Sequence, residues 1–187
     1  MDLNKIIKET KNFCELRENT LFHNTVSLII SQKISFQEGK KIRENLFKKL
    51  DKYEIDRDLL KNYTEQDFID IGMDNTKIST IKKIIELPQD FTIDDLISIK
   101  GIGPWTIKSL KIYSGHPNIF LAEDYWIRKR LSELFDKKKI LTISESNKEI
   151  LNIDCDKSEL SKFLWRIKPS GIIKLKNNQL LDRNDFL

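Results

Sequence analysis

Cysteine and histidine are scarce, with two of each among 187 residues. Cys14 and Cys155 share no local motif. They cannot build a disulfide framework or a four-cysteine zinc or iron–sulfur site, and both read as buried thiols. His23 and His116 stand too far apart in sequence to suggest a catalytic metal, although sequence leaves their distance in space open. No apolar run approaches the ~18 residues that span a bilayer. The opening Met1-Asp2-Leu3-Asn4-Lys5 lacks the apolar segment of a signal peptide. An intracellular protein with no membrane partner is therefore expected, in cytoplasm, nucleoid or nucleus rather than secreted. There are only six glycines and four prolines, with no low-complexity linker and no internal repeat. That economy fits one domain, or two closely packed lobes.

What is present is a soluble, globular composition, with 39% hydrophobic and 33% charged residues. The net charge of +4 and the pI near 8.9 suit a polyanionic partner without establishing one. Nearly every segment has helical periodicity. An apolar helix follows Asn19-Thr20 through Leu21, Val26, Leu28, Ile29 and Ile30. Ser35-Phe36-Gln37-Glu38 is a capping box opening a helix that buries Ile42, Leu46, Phe47 and Leu50. A short helix from Gln66 to Ile71 stops at Gly72. Asp74 or Asn75 caps another, with Ile78, Ile81, Ile84 and Ile85 inward and a stop at Pro88. Thr92 caps a helix over 93–99, and Pro104 suits the first position of the next. Asp124 begins a helix with Ile127, Leu131, Leu134 and Phe135 inward, and residues 158–167 form one holding Leu160, Phe163 and Leu164. The tail, from Ile172 through Asn177-Asn178 to Leu181, reads as a small β-hairpin. The expected class is all-α.

Two segments carry chemistry. In Leu96-Ile97-Ser98-Ile99-Lys100-Gly101-Ile102-Gly103-Pro104-Trp105-Thr106-Ile107, two glycines flank Ile102 between amphipathic stretches. Glycine permits positive φ and close approach of the backbone to a ligand. Outward N–H groups at the following helix start then form an anion site suited to phosphate. A bare G-x-G is more often a tight turn with no ligand. Here apolar Leu96 and Ile99 precede it, Ile102 can anchor the turn, and Pro104 and Thr106 follow, a pattern that resembles the helix-hairpin-helix motif. Such a hairpin grips DNA phosphates without reading sequence, and Lys100 and Lys108 can add charge. The second segment, Phe120-Leu121-Ala122-Glu123-Asp124-Tyr125, places a carboxylate at a helix start, where aspartate commonly serves as a plain cap.

Read together, these segments resemble the helix-hairpin-helix-Gly/Pro-Asp superfamily of DNA glycosylases, and most nearly its 3-methyladenine DNA glycosylase II branch. Ile30-Ser31-Gln32-Lys33-Ile34-Ser35 resembles that branch's early S-Q-x-[IVL]-S segment. The resemblance covers about residues 20–170. It implies a two-lobed helical fold without an N-terminal β domain, in one domain spanning 1–187. A middle lobe of about 21–115 would carry the hairpin, and the N- and C-terminal segments would form the other lobe.

The resemblance also implies chemistry. Asp124 matches the catalytic aspartate, which stabilises the oxocarbenium-like sugar or activates water, with Glu123 one residue out of register. Trp105 stands where bifunctional members carry a Schiff-base lysine, which implies a monofunctional hydrolase acting on damaged double-stranded DNA. The tryptophan face suits cationic N-alkylated purines such as 3-methyladenine. Tyr125 can add to the base pocket, with Trp165 a weaker candidate. Lys100, Gly101, Ile102, Gly103, Thr106 and Lys108 match the DNA-binding hairpin. Gln32 and Lys33 match the loop that fills the gap left by a flipped base, though a lysine wedges poorly into a stack. Ser109 stands where some relatives place a pocket tyrosine. No cofactor is implied beyond a structural Na+ or K+ on the backbone carbonyls of Ile97, Ile99 and Ile102. A monomer is expected. Two other readings stay open: a glycosylase for deaminated or oxidised bases (hypoxanthine, uracil, 8-oxoguanine), and a non-enzymatic helix-hairpin-helix DNA-binding protein.

Overall fold

The computed structural model describes residues 2–14 and 19–187, with Cys14 described by its backbone alone. The expectation for the Cys14 thiol therefore lies outside the described residues. Twelve α-helices occur among the described residues: α1 (Leu3–Glu9), α2 (Lys11–Cys14), α3 (Leu21–Ser31), α4 (Phe36–Leu50), α5 (Arg57–Lys61), α6 (Glu65–Asp70), α7 (Asn75–Ile85), α8 (Pro104–Tyr113), α9 (Tyr125–Leu134), α10 (Ile143–Glu149), α11 (Lys157–Arg166) and α12 (Pro169–Lys176). The all-α expectation holds. The one pairing outside helices among the described residues is an isolated antiparallel bridge between Ile167 and Phe186.

The chain divides into two compact units, one of residues 18–114 and one of residues 1–17 with 115–187. In the first, α3 is buried on nearly all sides through Phe22, Val26, Leu28, Ile29 and Ile30. A helix apolar all round belongs at the centre of its unit, and α3 packs against α4, α7 and α8. Ser35 and Glu38 form the capping box that starts α4, while Phe47 is only half-buried and stacks on His23 with ring centroids 6.1 Å apart. Asp74 caps α7, whose C-terminal carbonyls are met by the buried Arg57 guanidinium, bonded to the oxygens of Ile85, Leu87 and Pro88. Those carbonyls have no intrahelical partner, so a buried cation from α5 stands in for solvent.

In the second unit α9 packs against α10, α11 and α12, and α11 also meets α1 and α2. Phe186 lies against Phe13 and Phe163, at centroid distances of 5.5 and 6.4 Å, which ties the chain's last residues into this core.

Four further expectations need correction. The helix expected over 93–99 is a single 3-10 turn, Asp94–Leu96, followed by further i→i−3 bonds such as Ile99 N–H to Leu96 O. Tight turns are favoured there because Gly101 must reach φ +105° two residues after Ile99. The expected β-hairpin of the tail is the helix α12. Ile172 and Leu175 bury at helical spacing, and Asn178 at φ +55° is a C-terminal cap. Its N–H and that of Gln179 close back on Leu175 O and Lys174 O, in a Schellman arrangement. An Asn-Asn pair suits a hairpin turn and a helix stop for the same reason, tolerance of the left-handed region. Phe135 is 36% exposed because α9 ends at Leu134 and Asp136 turns left-handed. Cys155 is half-buried rather than buried, and burial pushes its thiol pKa up.

Candidate functional site

The hairpin between Leu96 and Pro104 is held from two sides within its own unit. Gly101 sits at φ +105°, and a Cβ there would lie 2.2 Å from Thr80 Oγ1. Thr80 of α7 donates to Lys100 O at 3.3 Å and to Thr76 O at 2.9 Å. On the other side Gln32, just after α3, donates from Nε2 to Gly101 O at 3.1 Å and to Thr106 Oγ1 at 2.9 Å. The turn itself closes through Ile102 N–H to Ile99 O at 3.0 Å.

Thr106 is buried and its hydroxyl accepts from Gln32, which braces the hairpin from within. Gln32 takes part in the same brace through both of its Nε2 hydrogens. Lys33 is exposed at φ +57°. Lys100 is exposed and Lys108 half-buried. Gly103 differs from Gly101. Its φ of −114° is ordinary and a Cβ would meet nothing within 4 Å. Space beside Gly103 is therefore available to a ligand, at the head of α8 where backbone N–H groups lack helical partners. Trp105 is half-buried in the first turn of α8, and its carbonyl accepts from the buried Ser109 hydroxyl at 2.7 Å.

The carboxylate segment is built in the other unit. Residues 116–121 run along α11, fastened by two small buried serines. Ser158 Oγ accepts from Ile119 N–H at 3.0 Å and donates to His116 O at 2.6 Å. Ser161 Oγ accepts from Leu121 N–H, also at 3.0 Å. Phe120, Leu121 and Ala122 are buried. Arg128 reaches back from α9 to bond Ala122 O at 2.7 Å and Glu123 O at 3.1 Å, with its Nε on Leu141 O. Asp124 then caps α9. Its Oδ1 accepts from Trp126 N–H at 2.8 Å and Ile127 N–H at 3.0 Å, and the residue is 7% exposed. The two cap bonds hold one carboxylate oxygen in place at the head of α9.

Tyr125 and Trp126, each 49% exposed, meet edge-on at 5.3 Å. Sequence reasoning passed over Trp126, and also Arg128, Ser158 and Ser161. The periodicity of α9 would have signalled Trp126, because it falls off the buried stripe of Ile127, Leu131 and Leu134. Trp165 is half-buried in α11. Among the described residues no cluster of three histidine, cysteine or acidic side chains could hold a metal, and no helix is long and apolar enough to cross a membrane.

No family model matches this sequence, and no curated protein does. Solved structures do match its fold. The 3-methyladenine DNA glycosylase Mag1 of Schizosaccharomyces pombe, in complex with abasic DNA, superposes with a TM-score of 0.74 at 18% identity, over 88% of this chain and 90% of its own. A 3-methyladenine DNA-glycosylase of Archaeoglobus fulgidus gives 0.73 at 17% identity, over 87% of this chain and 67% of the other. A DNA-3-methyladenine glycosidase of Bacillus halodurans gives 0.62 at 15%, over 97% and 93%. This chain has the fold of helical DNA glycosylases.

Proposed function

We propose that this chain is a monofunctional DNA glycosylase of base excision repair, hydrolysing the N-glycosidic bond of alkylated purines such as 3-methyladenine in double-stranded DNA. The observation that carries the proposal is Asp124. It is a buried carboxylate fixed by two backbone N–H groups at the head of α9, in a chain that shares its fold with helical glycosylases and bears the glycine hairpin.

The hairpin amides near Gly103 and the Lys100 ammonium hold a backbone phosphate without reading bases. A base stacked in duplex shields C1′, so the damaged nucleotide is extruded at a cost of a few kcal/mol, least for a weakened pair. The C1′–N bond then breaks and its electron pair leaves with the base. A cationic N-alkylated purine departs neutral, which makes it a good leaving group. Positive charge builds on the deoxyribose, and Asp124 stabilises it across a short distance in a poorly solvated setting. Water adds to C1′ and gives up a proton to the carboxylate or to solvent. No lysine stands at Trp105, so no Schiff base forms and the strand stays intact.

Trp105 and Tyr125, with Trp165 in support, supply π faces for the base. The backbone carbonyls of Ile97, Ile99 and Ile102 would hold a structural Na+ or K+, and the Ile99 oxygen already accepts from Ile102 N–H at 3.0 Å. Both units belong to one catalytic domain, which acts as a monomer inside the cell.

Asp124→Asn tests the reading with little disturbance to the fold, because asparagine is as good an N-cap as aspartate. Wild type should release 3-methyladenine or 7-methylguanine from alkylated duplex without nicking the strand. Asp124→Asn should lose that release by 100-fold or more while binding duplex within a few fold. Equal release by both proteins overturns the role of Asp124. Release from hypoxanthine, uracil or 8-oxoguanine duplexes alone overturns the substrate class. Silence on all of them, with DNA binding intact, overturns the enzyme.

A further inference from the structure

The first turn of α9 carries a second feature besides Asp124. Trp126 leaves half its surface in water, yet it is not a loose side chain. Tyr125 braces it edge-on, with the ring planes 82° apart, and the Trp126 backbone N–H donates to Asp124 Oδ1. Lys129 Nζ lies 5.1 Å from its ring centroid and the Arg130 guanidinium 5.7 Å. Arg130 is otherwise committed, bonded to Ile167 O at 2.9 Å and paired with Glu133 at 3.1 Å, and Arg128 is spent on backbone carbonyls. Lys129 is the cation of this run whose reach is toward the tryptophan.

A rigid half-exposed indole with an ammonium over it is the pairing that single nucleic-acid strands stack against: a π face for a base and a charge for its phosphate. The two cations also decide which base it takes. A ring already facing Lys129 and Arg130 repels a cationic purine and accepts a neutral one. Trp126 therefore suits an undamaged nucleotide. Trp126 shares the first turn of α9 with Asp124, ~3 Å further along the axis and about 200° round it. A strand whose sugar reaches Asp124 presents its neighbouring nucleotide to this turn.

We infer that Trp126 and Lys129 form a strand-docking surface, in which Trp126 stacks on an intact nucleotide flanking the extruded one and Lys129 pairs with its phosphate. The inference rests on the glycosylase reading and adds a subsite to it.

Fluorescence anisotropy with a labelled duplex bearing one stable abasic analogue tests it. Trp126→Ala should weaken binding about tenfold, the size of one base–aromatic stack, and Trp126→Phe should recover most of that loss. Lys129→Ala should reduce the slope of log affinity against log salt by about one, a change that loss of packing alone would not produce. Wild-type affinity retained in Trp126→Ala overturns the docking, as does an unchanged salt slope in Lys129→Ala. Base release by the wild type reads the glycosylase assignment separately. A wild type that releases base while Trp126→Ala binds as tightly overturns the docking alone, and a wild type with no affinity for duplex overturns both.

Discussion

Two glycines two residues apart do different work. Gly101 is required by the protein itself, at φ +105° with Thr80 Oγ1 where a Cβ would stand. Gly103 is required by nothing in the chain, since its backbone is ordinary and a Cβ would meet open space. Gly101→Ala should therefore cost stability, by at least ~1–2 kcal/mol from the left-handed backbone alone, and should lower the melting temperature by several degrees. Gly103→Ala should change stability by no more than ~1 kcal/mol yet weaken duplex binding, because the added methyl occupies the space a phosphate would enter. Thermal melts and binding isotherms on the two variants separate folding from contact. A Gly103→Ala protein with wild-type affinity would remove the hairpin from the DNA interface.

Much of the element pattern is legible in the sequence because caps are local. Thr20, Ser35, Asp74, Pro104 and Asp124 all stand where the structure starts a helix. Legibility fails where one residue type serves two geometries. Asn177-Asn178 looks like a turn between strands, and only the burial of Ile172 and Leu175 on one face shows it to be a helix stop. Within the candidate site, the turn at Gly101 and the cap at Asp124 were legible, because their signals are contiguous. The Gln32–Thr106 and Ser158–Ile119 bonds were not, because they link residues 74 and 39 apart and leave no local trace.

The join between α3 and the segment before α5 makes a prediction of its own. His23 Nδ1 accepts the Ile55 N–H at 3.0 Å, which a protonated ring cannot do. Burial pushes the His23 pKa below its ordinary 6.5, Glu54 opposes that, and Arg43 adds to it. The unfolded chain thus takes up a proton at higher pH than the folded one. This bond's stability is complete above pH ~6.5 and is lost as pH falls through that value toward the lower folded one. Urea melts at pH 7.5 and 5 should differ by about 1 kcal/mol more in wild type than in His23→Phe. An equal difference in the two proteins would assign the pH effect to other groups.

At the scale of the whole molecule, the net charge of +4 is modest for the DNA binding proposed above, and lysines such as Lys49, Lys77 and Lys82 are held in ion pairs. Binding should therefore depend on a few placed groups rather than on a broad field. Neutralising even two phosphates lowers affinity about tenfold between about 50 and 200 mM salt. Affinity for undamaged duplex should fall by at least that much, measured as a log–log slope. A flat response would mean that no phosphate is gripped.

The division into units has a consequence for biosynthesis. Residues 18–114 are one uninterrupted stretch, so their core can close while the ribosome is still adding the remainder. The other unit draws on both ends of the chain, and α1 and α2 pack on α11. α1 and α2 thus emerge before their partner and must wait for it while residues 18–114 are made. Until residues past 157 leave the exit tunnel, Leu3 and Ile7 have no apolar surface of α11 to cover them. The nascent chain therefore carries chaperone-sensitive surface ahead of a unit already folded.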